Sequence, residues 1–222
     1  MSDPQFISEP LGKLGIIALK GCEEMAQKIN YYLVRFRKDR SANEQFDGYH
    51  KDSYIIDADF VRFGTGEGKC VMKESVRGYD LFVLCDPFNY GVTYKMYGME
   101  HPMSPDDHFA NLKRALSAVE GKAKRITVLM PMLYEGRQHK RTTRESLDCA
   151  DMLRELCFNY GVDNIITFDA HDARVQNAIP QKGFESVQPS YQFIKSLLRS
   201  VDDLKIDNDH MMIVSPDEGG MG

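Results

Sequence analysis

Short apolar runs alternate along this chain with segments of helical periodicity, and that alternation restricts the fold more than any other feature. LGIIALKG (14–21) ends in glycine and leads into CEEMAQKINYYLVRF, where Met25, Ile29, Tyr32 and Leu33 recur at helical spacing. YDLFVLCDP (79–87), RITVLMP (125–131) and NIITFDA (164–170) are near-continuously apolar. Between them lie the helical stretches SPDDHFANLKRALSAVEGK and RESLDCADMLRELCFNYG. Ser104 predicts an N-cap with acidic residues in the first turn, and Gly161 predicts a C-cap. Strands with no polar alternation are covered on both faces, so the pattern predicts an α/β fold with a parallel sheet flanked by helices.

The remaining segments fill in around that sheet. YIIDADFVRF and KCVMKESV read as strands around the turn GTGEG, SYQFIKSLLRSV as a helix, and HMMIVSPDEGG as a last strand ending in a glycine-containing loop. NYGVTYKMYGMEHPMSP reads as an aromatic, methionine-rich loop, and RKDRSANEQFDGYHKDS as a polar loop or insertion with no assigned role. A chain of 222 residues permits one large domain or one domain and part of another. We expect a leader over 1–13, a complete α/β domain over 14–180, and the beginning of a second, similar domain over 181–222.

Charge and cysteine usage narrow the function classes. A net charge of −5 without a basic stripe argues against nucleic acid as a partner. The five cysteines are scattered with no CxxC spacing, which points to a reducing compartment and buried apolar roles rather than disulfides or structural zinc. No secretory signal is visible at the N-terminus, and no apolar run approaches the ~20 residues a membrane span needs. The expectation is a cytoplasmic protein with no membrane partner.

In parallel sheets, ligands gather at the carboxyl ends of strands. Four strand ends here are polar: FGTGEG, RQHKR beyond RITVLMP, DAHD, and SPDEGG. Asp169 and His171 are two residues apart and on an extended backbone would point the same way. Together they could hold a divalent cation or bridge one to phosphate, and Mg²⁺, which keeps several waters, suits such sparse ligation. Arg137, Lys140, Arg141 and Arg144 could grip phosphate oxygens. Each motif also has a plain structural alternative: a turn cap and a surface histidine, a solvated basic loop, a hairpin turn. Four of them at strand ends of one fold favour a nucleotide–Mg²⁺ site.

The same segments resemble, in order, the ribose-phosphate diphosphokinase (phosphoribosyl pyrophosphate synthetase) family. VRFGTGE and ESVRGYDLFVL are similar to its Phe-x-Asp-Gly-Glu loop and Asn-Val-Arg-Gly-x-Asp strand. VLMPMLYEGRQ resembles its Ile-Pro-Tyr…Ala-Arg-Gln segment, ITFDAHDARVQNAIP its Asp-Leu-His…Gln…Pro signature, and IVSPDEGG its Val-Ser-Pro-Asp-x-Gly-Gly strand end. The likeness runs from about residue 14 to the last residue. It implies a phosphoribosyltransferase-like fold, ATP and ribose 5-phosphate as substrates, Mg²⁺ as cofactor, and a homo-oligomer whose nucleotide site lies at a subunit interface. Phe63, Thr65, Gly66 and Glu67 would then form the adenine loop, which the family lends across a dimer. Arg137 and Gln138 would contact the nucleotide and its phosphates, with Arg141 as a further candidate. His171 and Asp217 would hold the metal-bound triphosphate, with Asp169 in support.

Departures accompany the likeness. Thr65 stands where the family has an aspartate, His139 replaces the acidic residue after Arg-Gln, and Asp172 replaces a small residue after the histidine. Asn177 and Ala178 take the place of Gly-Phe. These departures imply a divergent branch. The family's basic catalytic loop and its ribose-phosphate loop would lie beyond Gly222, so no catalytic residue is expected within these residues. The expectation is an incomplete, inactive fragment of a longer enzyme. Two alternatives remain: a non-catalytic homologue that regulates a synthetase by co-assembly, and a diphosphotransferase acting on a larger acceptor that ends in ribose 5-phosphate.

Overall fold

A computed structural model of the protein describes residues 9–39, 46–207 and 209–215. It separates into two compact units, Met1–Val187 and Gln188–Gly222. In chain order the first unit contains β1 (Lys13–Ala18), α1 (Glu23–Lys38), β2 (Ala58–Arg62), β3 (Gly68–Met72), β4 (Tyr79–Leu84), β5 (Thr93–Met96) and β6 (Met99–Pro102). There follow α2 (Pro105–Val119), β7 (Arg125–Met130), α3 (Asp148–Arg154), β8 (Asn164–Phe168) and β9 (Gly183–Val187). One π-helical turn, Glu155–Asn159, prolongs α3, and a 3₁₀ segment, Ala173–Ala178, joins β8 to β9.

The main sheet has five strands in the order β1-β4-β7-β8-β9, all parallel. Its two faces explain the continuous apolar runs. Leu81, Val83, Ile126, Val128, Met130 and Ile165 belong to the larger core with Leu112 and Leu116 of α2 and Leu153 of α3. Leu14, Ile16 and Leu84 point the other way, into a smaller core with Ala26 of α1. Each fully buried aliphatic side chain contributes about 1.5–3 kcal/mol. Both faces are thus partnered, as the pattern predicts. Across the amino end, Asp80 and Arg125 sit opposite each other in register, and the guanidinium donates to both carboxylate oxygens at 2.8 and 2.5 Å.

Ser104 caps α2 as expected: its hydroxyl accepts from the Asp107 N–H, and the Asp107 carboxylate accepts from the Ser104 N–H. Gly161 follows the π-helical turn with φ +71°. Several expectations need correction. YIIDADFVRF is not one strand: Tyr54–Ile56 lies along the free edge of β1, where Ile16 and Ile55 form a parallel bridge, and β2 starts at Ala58. That stretch covers an edge which would otherwise present open backbone groups. NYGVTYKMYGMEHPMSP is not a plain loop but contains the β5–β6 hairpin, turned at Tyr97 and Gly98 with φ +50° and +82°. Two consecutive positive φ values give the turn twist that suits a two-residue hairpin.

The first unit also runs further than residue 180, because Gly183–Val187 pairs with β8 and closes the sheet. In the second unit, α4 (Ser190–Ser200) forms as expected. Residues 211–215 of the anticipated last strand are not in a strand; a strand needs a ladder to join. SPDEGG beyond Ser215, with Asp217, and residues 1–8 of the expected leader lie outside the described residues.

Candidate functional site

A cleft of about 720 Å³ opens at the carboxyl ends of β7 and β8. Arg137 and Gln138 enter it from the connection after β7, and Asp169 and His171 from the connection after β8. Phe88 and Tyr90, beyond β4, form a further wall. Parallel strands end here with their carbonyls spent in the ladder, so the chain must turn, and polar turn residues are what the cleft receives.

The turn after β7 is tight. Gly136 donates to the Leu133 carbonyl at 3.1 Å, Gln138 donates to that of Glu135 at 2.8 Å, and Glu135 holds φ +55°. A Cβ on Gly136 would lie 3.0 Å from the Leu133 oxygen, so a side chain there would press on the turn. Tyr134 stacks on Phe109 of α2, with centroids 4.6 Å apart, and its hydroxyl donates to Asp106 at 2.5 Å. Burial, and then the hydrogen bond to Asp106, push the Tyr134 hydroxyl pKa well above its ordinary value. Tyr134 is therefore a neutral donor that ties the turn after β7 to the first turns of α2.

The turn after β8 differs from the sequence reading in one respect. Asp169 has φ +45°, so the backbone is not extended there, and the argument that Asp169 and His171 share a side of a strand fails. Both still line the cleft, because the left-handed residue swings the chain round. The Asp169 N–H donates to the Val187 carbonyl at 3.0 Å and the Ala170 N–H to the Ser186 hydroxyl at 2.9 Å. The turn cap in this region is Asp172, not Asp169. The Asp172 carboxylate accepts from the Arg174 N–H at 2.9 Å and from its guanidinium at 2.5–3.1 Å. Those bonds, with a nearby His139, hold the Asp172 carboxyl well below the usual carboxylate range. His139 reaches within 3.5 Å of Asp172 through Nε2, and its ring lies 5.0 Å from that of His171.

Phe63, Thr65, Gly66 and Glu67 are not among the residues lining the cleft. They form the tip of the β2–β3 hairpin. Phe63 donates to the Glu67 carbonyl at 2.8 Å, and the Thr65 hydroxyl donates to the Glu67 carboxylate at 2.9 Å. Gly66 holds φ +92° with Met96 of β5 so near that a Cβ would come within 2.7 Å of its sulfur. Tyr97 donates to the Gly64 carbonyl at 2.9 Å. Arg62, beneath the tip, donates to the Gly66 carbonyl at 2.7 Å, pairs with Asp107 at 3.2 Å and lies over the Tyr94 ring. The tip is thus clamped by α2 and the second hairpin, while Phe63 remains 48% exposed. Arg141 is exposed on the loop before α3 and does not line the cleft.

Asp169 and His171 supply one carboxylate and one imidazole to the cleft, and neither makes a hydrogen bond there with its side chain among the described residues. No group of three His, Cys, Asp or Glu able to hold a metal ion occurs among the described residues. This donor set does not form a cage. It fits a cation that arrives with phosphate oxygens and water completing its shell. Sequence reasoning missed Asp106, Tyr134, Phe88 and Tyr90, which come from separate connections and carry no local motif.

Comparison with known proteins bears on this arrangement. A family model described as the N-terminal domain of ribose phosphate pyrophosphokinase matches residues 14–158. The chain belongs to the ribose-phosphate pyrophosphokinase family. A ribose-phosphate pyrophosphokinase of Maricaulis maris is 26% identical over 171 residues, covering 77% of this chain and 49% of that protein. The Nitrosomonas europaea protein of the same name is 30% identical over 168 residues, covering 74% and 46%. This chain therefore spans about half the length of the pyrophosphokinases it matches. The solved phosphoribosylpyrophosphate synthetase of Mycobacterium smegmatis superposes with a TM-score of 0.64 at 20% identity, over 85% of this chain and 52% of that one. That likeness establishes the shared fold. No helix among the described residues is long and apolar enough to cross a membrane.

Proposed function

We propose that this chain is the ATP-binding half of a Mg²⁺-dependent ribose-phosphate diphosphokinase of the cytoplasm. The observation that carries the reading is the single cleft that gathers Arg137, Gln138, Asp169 and His171 at the carboxyl ends of β7 and β8 in a member of this family. The reaction transfers the β,γ-diphosphate of ATP to the anomeric hydroxyl of ribose 5-phosphate, giving phosphoribosyl pyrophosphate and AMP. Diphosphate transfer depends mainly on positioning and on neutralising the charge of the phosphates. Arg137 grips phosphate oxygens with its guanidinium fork and Gln138 orients the nucleotide. Asp169 and His171 take up the cation side of the Mg²⁺–ATP complex. Bound Mg²⁺ supplies charge neutralisation at the transferred phosphates.

Phe63 and Glu67, held at a hairpin tip outside the cleft, fit an adenine loop presented to the cleft of another subunit in a homo-oligomer. A regulatory reading has one observation in its favour. Thr65 stands in the place of the family's aspartate and directs its hydroxyl to Glu67, so the tip has lost a carboxylate acceptor for the adenine amino group.

Calorimetric titration of the chain with a non-hydrolysable ATP analogue and Mg²⁺, alongside His171→Ala and Arg137→Gln, tests the proposal. Binding that weakens about tenfold in each variant is the expected outcome, since each removes a charge-assisted contact. Equal binding by parent and both variants would overturn the assignment of this cleft.

A further inference from the structure

Behind the cleft, two connections bring together side chains that local sequence does not relate. His139, after β7, comes within 3.5 Å of the Asp172 carboxylate through Nε2, with the two side chains only 12% and 14% exposed. Its ring centre lies 5.0 Å from that of His171, at an interplanar angle of 48°. His139 does not line the cleft, whereas Gln138 and His171 do. Asp172 is fixed in turn, because it accepts from the Arg174 N–H at 2.9 Å and from the Arg174 guanidinium at 2.5 Å, which keep it ionised. An ionised carboxylate only accepts, so Nε2 is the His139 nitrogen that carries hydrogen towards it. In the neutral ring the other nitrogen, Nδ1, is then an acceptor, and it is buried with no hydrogen-bond partner among the described residues. Buried polar atoms in native folds are nearly always partnered, so this one points to a donor that the unloaded chain does not bring up to it.

The imidazole of His171 is the donor within reach. Two imidazoles joined edge to edge by an N–H···N bond of about 2.9 Å, each nitrogen roughly 1.1 Å from its ring centre, have centres about 5 Å apart, which is the separation seen here. His171 is exposed and its side chain makes no hydrogen bond among the described residues, so its ring is free to turn until that bond closes. A histidine that ligates a cation is ordinarily oriented in this way, its second nitrogen donating to an acceptor behind it. We propose that His139 is a positioning residue for His171. Asp172 fixes His139 with its hydrogen on Nε2, Nδ1 accepts from one ring nitrogen of His171, and the other nitrogen of His171 presents its lone pair to the cleft. The inference rests on the reading of that cleft as a Mg²⁺–nucleotide site, and it gives one joint role to two departures from the family pattern.

Two substitutions separate this role from packing. His139→Asn keeps an acceptor oxygen where Nδ1 stands and gives up the ring, whereas His139→Phe keeps a ring and gives up the acceptor. Calorimetric titration with the ATP analogue and Mg²⁺ should show binding weakened about tenfold in the Phe variant and less than about threefold in the Asn variant. Equal loss in both, or the reverse order, would mark the contact as packing and overturn the proposal. Imidazole ¹⁵N spectra supply a readout that does not depend on affinity. In the unloaded chain His139 should carry its hydrogen on Nε2, and its Nδ1 resonance should shift as Mg²⁺ and the analogue saturate the cleft. Hydrogen on Nδ1, or an Nδ1 resonance unmoved at saturation, would overturn it as well. Binding weakened in His171→Ala but intact in His139→Phe would overturn the positioning role alone. Binding unchanged in His171→Ala, or absent in the parent, would strike the reading of the cleft and the proposal with it.

Discussion

The backbone at Asp169 offers a sharp separation of chemistry from stability. Its φ of +45° lies in the left-handed region, where a Cβ costs roughly 1–2 kcal/mol. Glycine removes that cost but adds about 0.5–1 kcal/mol of chain entropy in the unfolded state. Asp169→Gly should therefore be more stable by about 0.5–1 kcal/mol, or about 1–4 °C in melting temperature for a chain of this length. Asparagine visits the same region readily, so Asp169→Asn should stay within about 0.5 kcal/mol of the parent. Asp169→Val, β-branched, should lose about 2 kcal/mol. Binding should follow a different order: Gly, Asn and Val all remove the carboxylate, and all should weaken the Mg²⁺–nucleotide complex about tenfold. Thermal and urea melts give the first ranking, and titration with the ATP analogue gives the second. A Gly variant less stable than the parent by more than about 1 kcal/mol would refute the strain. An Asn variant that binds as the parent does would refute the role of the carboxylate.

Two further expectations concern groups outside the cleft. Burial of Asp107 favours its neutral form, but hydrogen bonds from Ser104 and the pairing with Arg62 outweigh it and lower the pKa. A lowered carboxylate stabilises fully above its unfolded pKa of about 3.9 and loses that contribution as pH falls through the folded value. Asp107→Asn should therefore be less stable by about 1 kcal/mol near neutral pH and show a shallower loss below about pH 4, as measured by melts across pH. Burial also raises every thiol: Cys22 to about 12, Cys70, Cys149 and Cys157 each to about 11, and Cys85 well above its ordinary value. Ellman's reagent at pH 8 should label the native chain slowly and the denatured chain at all five cysteines; rapid native labelling would contradict this burial.

The parts legible in the sequence are those whose cause is local or doubly buried. β4, β7 and β8 read clearly because both faces are covered, which leaves no polar alternation to obscure the run. α2 read clearly because Ser104 and the acidic first turn announce its start. β9 did not, since GFESV has a glycine and a glutamate in five residues and becomes a strand only through its ladder to β8. The β5–β6 hairpin carried a usable signal in Tyr97-Gly98, masked by methionines and aromatics on both sides. At the candidate site, the strand-end positions of Arg137, Gln138, Asp169 and His171 were legible. The orientation of Asp169 was not, because a single left-handed residue overrides strand alternation. Tyr134 and Asp106 meet only because α2 passes beneath the turn after β7, a tertiary fact with no local signature.

His139 and Asp172 look in the sequence like two independent departures from the family pattern, and in the fold they are one contact. An imidazole stands in the place of an acid after Arg-Gln, a carboxylate stands in the place of a small residue after the histidine, and the two lie 3.5 Å apart. The two substitutions therefore meet where the connections after β7 and β8 approach each other, next to the cleft-lining Gln138 and His171. There Asp172 is anchored by the Arg174 guanidinium and N–H, and it caps the 3₁₀ segment that leads to β9. His139, with its side chain only 12% exposed, packs between Asp172 and His171 and ties the two cleft loops together. Thr65 has no such counterpart, because its hydroxyl turns back on Glu67 within the same hairpin tip. Divergence has thus acted unevenly. Between the two connections one change answers another across the gap, whereas at the hairpin tip the change stays within the tip itself.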